Sequence, residues 1–257
     1  MTRFLSISSG KGGVGKSTIT VNLAAALTSL GYRTAILDAD IHGFSIPALM
    51  GLSGGNAPVL SKVNGMIQAP ESFGIPIISI GMFLEKDEPV AWRGPMLHRT
   101  LEQFLGEVNF GEPDYVLLDL PPGTGDMIIS IGQLLPQAQS IVVTTPQPSA
   151  STIAWRSASV MRKSGQEILG VIENMSAADI AGQRIDLFGS GGGEALSQQL
   201  SESTGTLVPL LGSVPLDPAL RVSGDVGIPL VFEHPDSAAA RELMAIAERI
   251  VALSPVR

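Results

Sequence analysis

A chain of 257 residues, 44% of them apolar, is long enough to bury a sizeable core. Its formal net charge of -8 and pI near 4.9 exclude a generally basic surface, the feature that nucleic acids and anionic lipids require for counterion release. Cysteine is absent, which excludes disulfides and leaves no thiolate for a metal centre, and His42, His98 and His234 lie too far apart in sequence to read as a ligand pair.

Residues Met1 to Ile7 form too short an apolar run for a signal peptide, Lys11 and Lys16 interrupt the next stretch, and no run reaches the roughly 18 residues of a membrane span. A cytoplasmic protein is expected, with no nucleic-acid partner and no membrane partner. In chain order, a strand at Phe4 to Ser8 precedes a helix at Thr18 to Leu30, and strands come next at Thr34 to Asp38 and Ile75 to Ile80. A helix at Met96 to Leu105 leads to strands at Tyr115 to Asp119 and Ser140 to Thr144. Then come a helix at Ser149 to Lys163, a strand at Ile168 to Ile172, a helix at Gly193 to Ser203, a strand at Leu207 to Leu211 and a helix at Ser237 to Leu253. Near-continuous apolar strands between helices predict an α/β fold, a doubly wound and mostly parallel sheet with helices on both faces. No repeat or linker divides it, so a single domain over residues 1–257 is expected, with Gly51 to Pro58 and Phe188 to Gly193 as surface loops.

Between the first strand and first helix, Gly10-Lys11-Gly12-Gly13-Val14-Gly15-Lys16-Ser17 fits G-x-x-x-x-G-K-S in full. Glycines let such a loop turn its backbone N–H groups inward around phosphate oxygens, and the helix N-terminus adds its dipole. Lys16 is expected at the β/γ-phosphates and the Ser17 hydroxyl on magnesium, with Gly10 to Ser17 and Thr18 binding the nucleotide, taken as ATP. The plainer alternative is a glycine-rich turn with no nucleotide.

Two predicted strands end in carboxylates: Asp38-Ala39-Asp40, and Asp119 ahead of Leu120-Pro121-Pro122-Gly123-Thr124-Gly125-Asp126. Strand carboxyl ends form the ligand-binding edge of such sheets. Asp119, after four apolar or aromatic residues, is the Walker B candidate for magnesium, and Gly123 and Gly125 suit a loop that moves with the γ-phosphate. An aspartate that merely caps a strand or helix is the alternative for each.

Lys11 narrows the reading. K-G-G-x-G-K-S resembles the deviant Walker A of the SIMIBI class, which includes MinD, ParA, the nitrogenase iron protein and the Mrp/ApbC proteins. The resemblance extends along nearly the whole chain to the Mrp/ApbC branch, iron–sulfur cluster carriers. It rests on Asp38 to Gly43 with Ser45-Ile46-Pro47, Trp92-Arg93-Gly94-Pro95-Met96, Asp119 to Asp126 and Val143-Thr144-Thr145-Pro146-Gln147. Glu173-Asn174-Met175-Ser176, Phe188-Gly189 with Gly191-Gly192-Gly193-Glu194, and Pro215 to Pro229 complete it.

This resemblance implies a homodimer closed over two MgATP molecules, with Lys11 reaching the partner's nucleotide, Asp40 orienting water, and Asp38 supporting both Lys11 and the metal shell of Ser17 and Asp119. Lys11, Lys16 and Asp40 are thus the catalytic candidates. It also implies adenine contacts from Asn174, Pro215 and Asp217, which taken alone read as turn residues. Iron–sulfur client or assembly proteins are the implied partners. Many bacterial members carry an N-terminal accessory domain; with the first strand at Phe4, none is expected here.

One departure is plain. Where the branch usually carries C-P-x-C between the positions of Ser176 and Phe188, this chain reads Ala177-Ala178-Asp179-Ile180-Ala181-Gly182-Gln183-Arg184-Ile185-Asp186-Leu187. Oxygen ligands from Asp179 and Asp186 cannot replace two thiolates on iron with comparable affinity, so a bound cluster is doubtful. A slowly hydrolysing ATPase in iron–sulfur protein maturation is the leading expectation. The rivals are a MinD/ParA-like positioning protein and a non-hydrolytic nucleotide-binding module. The apolar stripe Leu243, Ile246, Ala247, Ile250 and Val251 in the last helix reads as core rather than membrane anchor, which weighs against the first rival.

Overall fold

The structure is a computed structural model that describes residues 1–40, 43–53, 61–63, 65–83, 94–123 and 125–256. Ile41, His42, Trp92, Arg93, Thr124 and most of the expected 51–58 loop lie outside these residues. At the centre of an eight-stranded sheet, β1 (Arg3–Ser9) lies between β8 (Tyr115–Asp119) and β9 (Gln139–Thr144). Beyond β8 come β2 (Thr34–Asp38), β6 (Ile75–Ser79) and the short β5 (Glu71–Ser72); beyond β9 come β10 (Glu167–Glu173) and β13 (Leu210–Ser213). The full order is β13-β10-β9-β1-β8-β2-β6-β5, and every pairing is parallel except β5 with β6. The α/β, doubly wound expectation holds.

Period-two alternation explains why both faces are covered. On β1, Leu5 and Ile7 enter one core and Phe4 the other; on β8, Tyr115 and Leu117 face one way and Val116 and Leu118 the other. The first core is closed by α1 (Lys16–Ser29) and α9 (Ala238–Leu253), the second by α3 (Gly94–Glu107) and α4 (Asp126–Leu134). Beside the second, α5 (Pro148–Lys163) and α6 (Gly192–Thr204) cover β9 and β10 around Ala154, Ala158, Leu196 and Leu200. In α9, Leu243, Ile246, Ala247 and Ile250 are fully buried and Val251 packs against them, so the apolar stripe is core. Truncating Leu243 to Ala at such a site costs about 2–5 kcal/mol.

Several local expectations are corrected. The last strand starts at Leu210 and not at Leu207, because Leu207 is exposed and Pro209 has no N–H for a ladder. Helix α4 was hidden by its glycine- and proline-rich approach, and α7 (Pro218–Val226) by the turn reading of Pro215 and Asp217. Gly192 and Gly193 begin α6 and are buried, so only the first part of the expected 188–193 loop is a surface loop. Short strands β3 (Ser61–Val63), β4 (Met66–Gln68) and β7 (Val108–Asn109) form a small second sheet, and β11 (Ala178–Ile180) pairs with β12 (Gln183–Ile185) as a hairpin. Short α2 (Ile46–Leu49) and α8 (Leu230–Glu233) complete the helices described.

Candidate nucleotide-binding site

Three neighbouring parallel strands bring polar residues into one row at the carboxyl edge. The register sets Asp119 of β8 opposite Asp38 of β2, and Asp38 opposite Ser79 of β6. Ser79 Oγ donates to Asp38 Oδ2 at 3.0 Å, and the Asp40 backbone N–H donates to Asp38 Oδ1 at 3.1 Å. Burial and the neighbouring Asp119 charge push the Asp38 carboxyl up to about 7.

The loop from Gly10 to Gly15 turns over this row before α1 begins at Lys16. Gly15 occupies the left-handed region at φ 80°, and a Cβ there would stand 2.3 Å from Asn174 Nδ2, so glycine is required twice over. Gly10 is pressed just as closely against α5, where a Cβ would meet Ala154 N at 2.3 Å. Because α1 starts at the loop's end, Lys16, Ser17 and Thr20 project from its first turn toward β8.

Asp119, fully buried, is where they converge. Lys16 Nζ donates to Asp119 Oδ2 at 2.6 Å, Ser17 Oγ donates to the same oxygen at 2.6 Å, and Thr20 Oγ1 donates to Oδ1 at 2.7 Å. Asp40 stands 3.8 Å from Lys16 Nζ and accepts from Gly43 N at 3.2 Å. A cleft of 540 Å³ opens above, lined among others by Lys11, Gly13, Lys16, Ser17, Thr18 and Asp40. Gly12 lines it too, while Val14 is buried beneath the loop. A cationic amine, backbone donors at a helix N-terminus and a carboxylate–hydroxyl pair suit polyphosphate with a hard divalent cation.

Lys11 points elsewhere. Its Nζ donates to Gln147 Oε1 at 3.1 Å within the same chain, just ahead of α5. Beyond the loop, a smaller cavity of 220 Å³ brings together Gly15, Thr18, Asn174, Pro215, Asp217 and Arg221. Asn174 Nδ2 donates to Val14 O at 2.9 Å, and the Asp217 carboxylate caps α7 by accepting from Ala219 N at 2.9 Å. The turn role of Asp217 is therefore real, and it coexists with a place beside the phosphate loop.

Four contributors escaped the sequence reading. Thr20 could have been found, since it follows Lys16 by one helical turn and shares its face. Ser79 ends a predicted strand, but only the register reveals that it abuts Asp38. Gln147 and Glu173 lie in segments that carry the family resemblance, but nothing local to either assigns it a contact; Glu173 Oε2 accepts from Gly193 N at 2.7 Å and ties the end of β10 to α6.

The family model described as the NUBPL iron-transfer P-loop NTPase matches residues 1–251. The chain belongs to that family. It is 51% identical over 249 residues to the iron–sulfur cluster carrier protein of Mycobacterium tuberculosis, which covers 96% of this chain and 64% of the relative. The corresponding protein of Synechocystis is 45% identical over 96% of this chain and 69% of its own length. The chain thus spans just under two thirds of its mycobacterial relatives. Among solved structures, it is similar to a nucleotide-binding protein from Archaeoglobus fulgidus in complex with ADP. The TM-score is 0.72 and the identity 31%, over 88% of this chain and 86% of that one. MinD, a cell division ATPase from Pyrococcus furiosus, shares the fold with a TM-score of 0.71 at 24% identity, over 99% of this chain and 100% of that one. The NUBPL-type P-loop NTPase family carries nucleotide binding and hydrolysis in general, and no helix among the described residues is long and apolar enough to cross a membrane.

Proposed function

We propose that this chain binds MgATP and hydrolyses it slowly as a homodimer that assists iron–sulfur protein maturation without holding a cluster on thiolates of its own. The observation that carries the nucleotide reading is the convergence of Lys16, Ser17 and Thr20 on buried Asp119 beneath a glycine loop. Magnesium held through Ser17 and Asp119, with Asp38 behind them, would neutralise charge on the β- and γ-phosphates. Lys16 balances the same charge from the loop side, and its neighbour Asp40 is positioned to accept a hydrogen bond from an attacking water. Phosphoryl transfer depends on such positioning and charge more than on covalent chemistry.

Lys11 supports the dimer reading by resemblance. Gln147 gives its ammonium a perch within the chain, and exchanging that partner for a second protomer's nucleotide is the step that would complete each site. Asn174, Pro215 and Asp217, around the smaller cavity, are the candidate contacts for the base. The family and the names of the relatives support iron–sulfur client proteins as partners. Residues 177–187 offer no thiolate, however, and among the described residues no group of three or more His, Asp or Glu side chains is placed to hold a metal ion.

Phosphate release with MgATP tests this directly. The wild-type chain is expected to turn over slowly, and Asp40→Asn to retain ATP binding while losing about 10²-fold in rate. Undiminished release from Asp40→Asn would remove Asp40 from the mechanism. ATP binding with no release in the wild type would leave a nucleotide-binding module.

A further inference from the structure

Helix α5 touches the nucleotide loop with one side and lines an open groove with another. On the inner side, Ala154 packs against Gly10, Ser157 Oγ donates to Gly123 O at 2.6 Å, and Ser151 Oγ donates to Gly192 O at 2.9 Å. On the outer side, α5 and α6 bound two adjoining cavities of 510 and 430 Å³ that share Trp155 and Ser203. Ala158, Ile168 and Leu200 form a buried apolar floor, and the Trp155 side chain stands over it with 38% of its surface exposed.

Charge distinguishes this groove from the rest of the surface. Helix α5 carries Arg156, Arg162 and Lys163 and no carboxylate, in a chain with 24 acidic and 16 basic residues. Among the described residues, none of these three cations is in an ion pair. Arg162 donates to the Ser203 carbonyl near the end of α6, which fixes its guanidinium at one end of the groove beside exposed Lys163. The groove's carboxylate, Glu202, lines the other cavity and accepts from Gln198.

We propose that the α5–α6 groove docks an acidic peptide segment of a client protein, with one apolar side chain against Trp155 and carboxylates at Arg162 and Lys163. An exposed indole over an apolar floor suits a single aliphatic or aromatic anchor. Cations held in no ion pair favour an acidic partner, and complementarity of this kind governs which partner is accepted and how fast it arrives. Three cations on a chain of net charge -8 are too few to track a polynucleotide. The groove does not depend on the hydrolysis reading, and α5 connects it to Gly10 and Gly123.

The test is fluorescence anisotropy on the full chain without nucleotide. The probe is a dye-labelled peptide of Glu and Ala carrying one Leu, beside a twin with every Glu replaced by Lys. The acidic peptide is expected to bind and the basic twin not to. Lys163→Glu, at an exposed position and checked for folding by circular dichroism, is expected to weaken binding about 10-fold while leaving phosphate release unchanged. Trp155→Ala, checked for folding by circular dichroism, is expected to weaken it at least as much. Equal binding of the two peptides, wild-type affinity in Lys163→Glu, or stronger binding of a single-stranded oligonucleotide than of the acidic peptide would overturn the proposal.

Discussion

Two regions lie at or just past the carboxyl ends of sheet strands, and they are built in opposite ways. At the end of β8, Asp119 is fully buried and held by three donors from α1. After β10, the hairpin of β11 and β12 leaves Ile180, Ile185 and Leu187 exposed, and its Arg184–Asp186 pair lies in solvent. A site for phosphate and cation tolerates little change, since each buried polar group needs its partner. An exposed hairpin can exchange its side chains at small cost to the fold, and residues 177–187 carry no thiolate while the phosphate-loop motif Gly10–Ser17 is complete.

The largest expected effect lies in the first region. Lys16→Ala removes the cation nearest Asp119 and is expected to reduce phosphate release about 10³-fold. It also leaves a buried carboxylate without its ion pair, at a cost of about 3 kcal/mol measured by denaturant unfolding. Retained activity would mean that the buried site is not the functional one.

Lys11→Ala separates stability from hydrolysis within the same loop. Lys11 is held by one neutral acceptor, Gln147, so its loss should cost little stability, yet hydrolysis is expected to fall about 10²-fold if the lysine acts across a dimer. Mixing Lys11→Ala with Lys16→Ala should restore part of the activity, since a mixed dimer contains one site with both lysines. No rescue would confine Lys11 to its own chain.

A third, smaller effect separates stability from function. Asp38 has an ordinary carboxyl value of 3.8 and a folded value near 7, so the folded state holds the extra proton between those limits. Its contribution is therefore most favourable below about pH 4 and is lost as pH rises toward 7. Asp38→Asn keeps an acceptor for the Asp40 N–H and a partner for Ser79. In the nucleotide-free protein it is expected to gain about 1 kcal/mol over wild type above pH 7 and little near pH 4, while losing hydrolysis. Thermal melts at the two pH values check this, and an equal difference at both would remove the buried charge as its cause.

How much of this was legible in the sequence depends on the same contrast. The Gly10–Ser17 motif and the apolar strands are local signals, so the sheet, the loop and Asp119 could be read directly. The partners of those residues come from register and crossover: Ser79 meets Asp38 because β6 lies beside β2, and Gln147 meets Lys11 because α5 returns under the loop. No spacing along the chain encodes either meeting. The start of the 207–211 strand was placed too early although the sequence held the sign against it, since Pro209 has no N–H for a ladder and the strand begins at Leu210. The α5–α6 groove was invisible because Trp155 reads in sequence as one more residue on a helix face.

The smallest effects belong to the hairpin. Ile180→Ser and Leu187→Ser remove exposed apolar surface and no described hydrogen bond, so each should change stability by no more than about 0.5 kcal/mol. Phosphate release should stay within about 2-fold of wild type, because the hairpin supplies no atom to the Asp119 constellation. Anaerobic iron and sulfide reconstitution of the same proteins, read by visible absorption and bound iron, should give no stable cluster in wild type or variants, since oxygen and nitrogen donors hold such iron poorly. A stoichiometric cluster that survives both substitutions would place its ligands outside the hairpin and make the two regions chemically independent. A cluster lost on either substitution would mean that the hairpin, without thiolates, still shapes a cargo site.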